Sequence, residues 1–384
     1  MTRLLYLTAD PGVPVLGHKG ASVHVRELAR ALDEGGAKVL VLSPRIAQEG
    51  DRLSAGVALR EIPPVLPKRR DELEIRRAMQ AQADAVLAAA TTWPADAIYE
   101  RFSLFTDAGA RAAHALGIPH VLEVNAPLRA EAARYRTLPH AELALAVERQ
   151  VLGGVTQVLT VSAGLVEHLT ALGVPRSLIQ VVPNGVSAVA SAPTTAHPDE
   201  FVVGFAGSLK PWHGVTTLLA ACVLAAPRIP GLTLEVIGHG PLADDVTDAA
   251  VAPARLRVLG ALPHAQTLDL MANWDVGAAP YAASDDFYFS PLKVLEYMAA
   301  GVCPVASALG ELPVLLGGGA RGVLVAPDDP AALAGALVGL AADPVRRRQL
   351  GVEARTYVQA HRSWAVNART VLQAVGALEP VPRR

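Results

Sequence analysis

The chain alternates short apolar runs with longer stretches whose apolar residues recur every three or four positions. "RLLYLT" (3–8), "KVLVLS" (38–43), "DAIYE" (96–100), "HVLEV" (120–124) and "QVLTVS" (157–162) read as strands, being short and mostly apolar. Between the first two, "SVHVRELARAL" (22–32) sets Val25, Leu28, Ala29 and Leu32 on one helical face. Strand, helix and strand in repeated succession predict a parallel sheet covered by helices on both faces. After "QVVPNGVS" (180–187) the pattern stops. Residues 187–200 are small, proline-bearing and without period, as expected of an interdomain linker. The alternation then restarts, with candidate strands at 201–207, 233–240, 256–260, 275–281, 303–308 and 322–327. Candidate helices fall at 214–226, 265–273, 291–300 and 330–342.

The pattern therefore predicts an α/β protein of two Rossmann-like, doubly wound domains facing each other across a cleft, residues 1–186 and 201–362. A length of 384 residues suits two cores better than one. Hydrophobic residues make up 51% of the chain, which excludes disorder, and 34 Lys and Arg against 36 Asp and Glu leave no basic arm for nucleic acid. Cys222 and Cys303 stand alone, which suggests neither a disulfide framework nor a zinc site. The opening "MTRLLYLTADPG" reads as a first strand rather than a leader, and no run of about 18 apolar residues is present to span a bilayer. A soluble, cytoplasmic protein is expected.

In doubly wound sheets ligands bind beyond the carboxyl ends of the strands, so the loops leaving the strands are where chemistry is expected. Gly17 and Gly20, in "DPGVPVLGHKGAS" (10–22), precede a helix whose free N–H groups suit an anion; an ordinary glycine-bearing loop fits equally well. In "GFAGSLKPWHG" (204–214), Ser208, Lys210 and His213 follow a strand glycine and make a reasonable diphosphate cradle, against the alternative of a solvated loop lysine. Gly238 and Gly240, in "VIGHGPLADD" (236–245), form with Ala243 a GxGxxA pattern, which raises a nicotinamide or flavin oxidoreductase as a rival. That rival lacks an acid about 20 residues further on.

"FYFSPLKVLEYMAAG" (287–301) reads as turn, helix and stop. Ser290 is the expected N-cap, Pro291 the first helical residue and Gly301 the left-handed cap. Leu292, Leu295, Met298 and Ala299 face a core, yet Lys293 and Glu296 put two charges on the same short helix. An i,i+3 ion pair between them is one reading. A ligand is the other.

Taken in order, "GHKGASVHVRELARAL", "LTVSAGLVEHLTALGVP", "VVPNGVS", "VGFAGSLKPWHGVTTLLAA", "LEVIGHGPL", "ANWDVGAAPY" and "SPLKVLEYMAAGVCPVAS" resemble the retaining family-4 glycosyltransferases, along nearly the whole chain. The resemblance implies the GT-B fold, and a last helix at about 363–378 that packs back on the first domain. It also implies transfer of a sugar from a UDP- or GDP-sugar to an acceptor hydroxyl, with retention and without a metal or other cofactor. The partners implied are the nucleotide sugar and a small-molecule or glycan acceptor, with at most peripheral membrane contact and no nucleic acid.

By the same resemblance Ser208 and His213 occupy positions that are usually Arg or Ser and Lys, and Lys210 is placed to supply the missing charge. Gly238 and Gly240 would approach the nucleotide, and backbone from Leu259 to Leu262 would meet the base. The family's pair of glutamates maps to Tyr288 and Glu296, so Glu296 would bind the ribose while Tyr288 replaces the sugar-reading acid. Ser290, Pro291, Leu292 and Lys293 replace the usual Gly-rich opening. In the first domain Glu123 and Asn125 stand where many members carry a histidine, Glu123 as a candidate base and Asn125 as a hydrogen-bonding contact. Glu100 and Arg101 resemble a position near the substrate or form a structural pair, while His24, His264 and Trp364 read as packing or capping residues.

Overall fold

The computed structural model describes residues 1–17, 19–47, 53–67, 71–135, 137–187, 199–284, 288 and 290–377. The chain divides into two compact units. One comprises Met1–Asn184, Tyr288–Ser290 and Trp364–Arg384, the other Gly185–Phe287 and Pro291–Ser363. Residues 188–198 of the expected linker lie outside the described residues.

The first unit is built on a seven-stranded parallel sheet. Its strands are β1 (Arg3–Thr8), β2 (Lys38–Ser43), β3 (Val57–Glu61), β4 (Ala97–Arg101), β5 (His120–Val124), β6 (Gln157–Thr160) and β7 (Ile179–Val181), in the order β3-β2-β1-β4-β5-β6-β7. The central strands are buried on both faces, which is why they read as unbroken apolar runs. β3 buries one residue of five fully and lies at the sheet edge, so its sequence carries no such run. The helix Glu72–Thr92 opens with a capping box: Asp71 accepts from the Glu74 N–H and Glu74 accepts from the Asp71 N–H. The terminal helix Trp364–Ala377 packs on the helix Gly20–Glu34, with the Trp364 ring edge-on to His24 at 4.9 Å.

The second unit repeats the plan with six parallel strands: β8 (Phe201–Ala206), β9 (Leu232–Ile237), β10 (Arg255–Gly260), β11 (Val276–Ala279), β12 (Cys303–Ser307) and β13 (Val323–Val325). Their order is β10-β9-β8-β11-β12-β13, so the winding reverses between β8 and β11. Large side chains are admitted by glycines on these two strands. Gly204 lies against Trp274 and Gly277 against Tyr297, and a Cβ at either glycine would collide with the ring. Tyr297 donates its hydroxyl proton to Ala278 O at 3.2 Å and accepts from the Ala206 N–H at 3.0 Å, tying the Leu292–Ala300 helix to both strands at the reversal. Cys222 and Cys303 are buried core residues, and burial pushes both thiols up to about 12.

Candidate active site

The reversal of strand order marks the crevice where an open α/β sheet takes its ligand. In the second unit it is walled by the ends of β8 and β11 and roofed by the Leu292–Ala300 helix. At the end of β8, Gly207 has φ +144 and its carbonyl lies where a Cβ on Gly238 (φ +146), at the end of β9, would have to go. Only glycine fits such a contact at positive φ. A Cβ on Gly240 would sit 2.7 Å from Leu209 N and O, so Gly238 and Gly240 let backbone run against backbone, while a Cβ on Gly207 would sit 3.0 Å from Lys293 Nζ.

Lys293 enters this crevice from the helix. Its side chain is 8% exposed, with Nζ 4.0 Å from the centre of the Phe205 ring and 5.1 Å from that of Tyr281. Among the described residues Nζ has no hydrogen-bond partner. Burial pulls its pKa down to about 7, and Glu296 only partly offsets the shift. The ring faces supply some cation–π attraction. They do not replace the hydrogen bonds an ammonium loses on leaving water, and the first turn of a helix is a further unfavourable place for a cation. An anion beside Nζ would correct all three deficits.

His213 closes the other side. Its Nδ1–H donates to Ser208 O at 2.5 Å, and its ring stands edge-on to Tyr281 at 5.7 Å. Donation from Nδ1 leaves Nε2 as the free ring nitrogen. Burial, with the Lys293 and Lys210 charges, lowers the imidazole pKa to about 3, so it is neutral at pH 7. Lys210 Nζ lies 4.7 Å from the Trp212 ring, and that ring is 39% exposed. Ser208, Lys210 and His213 thus share one loop, with His213 close enough to Lys293 to feel its charge.

Glu296 does not form the i,i+3 pair with Lys293 that was one of its two readings. Its Oε1 accepts from His264 Nε2 at 2.9 Å, both side chains being 16% exposed. His264 opens the helix His264–Met271, a few residues beyond the β10 terminus, and Leu262 lies half-buried in the loop between. His264 was expected to be a cap or packing residue. Its partner lies 32 positions away, which no local pattern announces.

The capping of the Lys293 helix also differs. The helix runs Leu292–Ala300, Pro291 is its N-cap residue without a side-chain cap bond, and Gly301 is left-handed as expected. Ser290 does not cap; it belongs to the first unit, where its Oγ accepts from the Asn184 N–H at 3.2 Å. Tyr288 also belongs to the first unit. Its ring packs on the apolar cluster containing Phe102, Leu143 and Leu165, and its carbonyl accepts from the Ser162 hydroxyl.

In the first unit Gly17 and Gly20 flank the start of the Gly20–Glu34 helix. Gly17 O accepts from the buried Arg26 at 2.5 Å, so that loop is fastened by an internal cation. Glu123 is a poor general base in this setting. It is buried, with Oε1 2.6 Å from His24 Nε2 and 3.7 Å from Arg101 Nη1. Burial alone would raise its pKa; His24 and Arg101 outweigh that and hold the carboxylate at about 2. A base of that strength accepts few protons near pH 7. Glu100 pairs instead with His120 at 2.8 Å in the core. Asn125 Nδ2 is buried and makes no hydrogen bond of ordinary geometry among the described residues, but it lies close enough to Glu123 to help hold that carboxylate ionised. Among the described residues no group of three or more His, Cys, Asp or Glu is placed to hold a metal, and no helix is long and apolar enough to cross a membrane.

Residues 19–185 match the glycosyl transferase 4-like domain and residues 200–343 the glycosyl transferases group 1 domain. The chain therefore carries the two domains of a GT-B glycosyltransferase, and the class named by its relatives agrees. It is 32% identical over 198 residues to the phosphatidyl-myo-inositol mannosyltransferase of Mycolicibacterium smegmatis, covering 50% of each chain. It is 27% identical over 416 residues to the glycogen synthase of Mycobacterium tuberculosis, covering 99% of this chain and 97% of that one. Among solved structures, sucrose-phosphate synthase from Thermosynechococcus elongatus superposes with a TM-score of 0.75 at 20% identity, covering 98% and 99% of the two chains. Anabaena HepE in complex with UDP and glucose gives 0.73 at 17% identity over 98% and 100%.

Proposed function

We propose that the protein is a retaining glycosyltransferase that moves a sugar from a UDP- or GDP-sugar to the hydroxyl of a small-molecule or glycan acceptor, without a metal cofactor. The observation that carries this reading is Lys293: a buried ammonium without a hydrogen-bond partner among the described residues, beside glycines at the reversal of a doubly wound sheet. A diphosphate is an anion of suitable charge for it. The name of one similar structure, HepE with UDP and glucose, points to the same donor class.

In this reading negative charge builds on the leaving phosphate as the glycosidic bond to it breaks. Cationic side chains already fixed at that point stabilise the transition state more than the ground state. Lys293 supplies the fixed cation, and Lys210 a second one from the facing loop. His213, with Nδ1 held by Ser208 O, keeps Nε2 as its free ring nitrogen. The Gly207, Gly238 and Gly240 backbone lets the nucleotide approach, and Glu296 takes the ribose. Asn125 contacts donor or acceptor in the first unit.

The test is a thermal-shift panel of UDP-glucose, UDP-galactose, UDP-N-acetylglucosamine, GDP-mannose and ADP-glucose, each with and without EDTA. The reading predicts stabilisation by at least one UDP- or GDP-sugar, unchanged by EDTA. No shift with any of them would sink it. The anomeric configuration of the product, read by NMR, decides retention.

A further inference from the structure

We propose that His264 is a positioning residue that fixes the Glu296 carboxylate for the donor ribose, and so sets the enzyme's preference for ribose over deoxyribose nucleotides. This rests on the donor reading above. The contact is direct: Nε2 stands 2.9 Å from Oε1. A carboxylate offers only acceptors, so the imidazole nitrogen carries the proton and Glu296 receives it. One oxygen is thereby committed. The other, Oε2, has no hydrogen bond within the described residues, and the side chain keeps 16% of its surface exposed. It is held on one side and open on the other.

The alternative is a clasp between two helices that serves stability alone. The behaviour of Lys293 argues against it. Lys293 lies one turn earlier on the same helix and is the nearest cation in sequence, yet its Nζ makes no hydrogen bond to Glu296. The helix sends the two charges to different places, the ammonium into the β8–β11 crevice and the carboxylate toward His264. A nucleoside diphosphate needs the same division, with an anion at one end and hydroxyl donors at the other. A carboxylate already held in one orientation loses less freedom on binding, so more of each hydrogen bond appears as affinity.

The experiment titrates the protein with UDP and GDP by calorimetry, then compares the tighter nucleotide with its 2′-deoxy and 3′-deoxy forms. In the wild type the ribonucleotide should bind about tenfold to a hundredfold more tightly than at least one deoxy form, the range of a hydrogen bond to a charged group. His264→Ala should lower ribonucleotide affinity toward the deoxy value while leaving the deoxy affinity in place. Glu296→Ala should flatten the preference equally, and the double variant should add nothing further. His264→Gln keeps a side-chain N–H and should recover part of the preference; it also carries the comparison if the alanine variant is poorly folded by circular dichroism.

Equal weakening of ribo and deoxy forms by His264→Ala, or an unchanged preference, would overturn the proposal and leave His264 a helix clasp. If Glu296→Ala also keeps the preference, the ribose assignment itself is wrong. If neither UDP nor GDP binds the wild type, the donor reading falls and the proposal with it.

Discussion

Lys293 Nζ lies 4.0 Å from the centre of the Phe205 ring, and among the described residues no oxygen accepts a hydrogen bond from it. A cation kept there costs the unliganded fold stability. Lys293→Met should therefore stabilise the free protein, by about 1–4 kcal/mol in denaturant titration. The same variant should weaken UDP or GDP binding. A variant that loses both stability and binding would argue that Lys293 is structural.

The same lysine links donor binding to pH. Its pKa is about 7 in the fold against 10.5 ordinarily, so between those values the unfolded chain holds a proton the folded one has lost. The free protein should gain stability as pH rises through that window. A bound diphosphate favours the ammonium, so affinity should fall as pH climbs above about 7 and binding should take up a proton. Calorimetry in two buffers of different ionisation enthalpy reads this directly. Identical heats in both would exclude proton uptake.

Lys210 sits over Trp212 in the loop that follows β8. Lys210→Ala should lower kcat about a hundredfold, roughly 3 kcal/mol, with a smaller change in donor KM. A rise in KM at constant kcat would assign it to ground-state binding instead.

Gly238→Ala sets a Cβ against the Gly207 carbonyl at a φ of +146. The variant should lose about 2 kcal/mol or more and broaden the unfolding of the second unit, followed by urea titration. Near wild-type stability would mean that the two loops can separate at little cost.

Glu123 contributes stability while it is ionised. With a folded pKa of about 2 against 4.5 ordinarily, the contribution is complete above pH 4.5 and disappears as pH falls toward 2. Glu123→Gln should lower stability at neutral pH by about 3 kcal/mol and flatten that acid limb. If turnover of the folded variant survives, the carboxylate is no base. Loss of turnover in a stable variant would restore it as a catalytic candidate.

Periodicity made much of this fold legible. The unbroken apolar runs at 3–8, 38–43 and 201–206 became central strands because a parallel sheet buries both faces. The Leu292–Ala300 helix was legible from its spacing and from Gly301. β3, "VALRE", was not, since an edge strand has little to bury. The helix Pro344–His361 carries too few apolar residues to announce itself, and is buried chiefly at Leu350, Gly351, Ala354 and Val358. In the site, Lys293 and Glu296 stood out as charges where a core helix should have none. What the sequence could not show was where each would point. Local spacing favours an i,i+3 pair, and tertiary structure overrides it by giving Glu296 a histidine 32 residues away and Lys293 two aromatic faces. Glu123 was ambiguous for a related reason: a strand residue gives no hint that His24, on a helix nearly one hundred positions earlier, will hold it ionised.

The Trp364–Ala377 helix joins a unit whose other main segment ended at Asn184. On the ribosome, the first unit therefore waits for the whole of the second before His24 meets Trp364 and Leu372 comes up beside Gly35. At ordinary elongation rates of about 5–20 residues per second, that delay is roughly ten to forty seconds. Throughout it, one side of the Gly20–Glu34 helix has no neighbour from its own unit. A nascent chain stalled before residue 364 should be held by chaperones or cleaved, and release of the last helix is the event that ends this exposure.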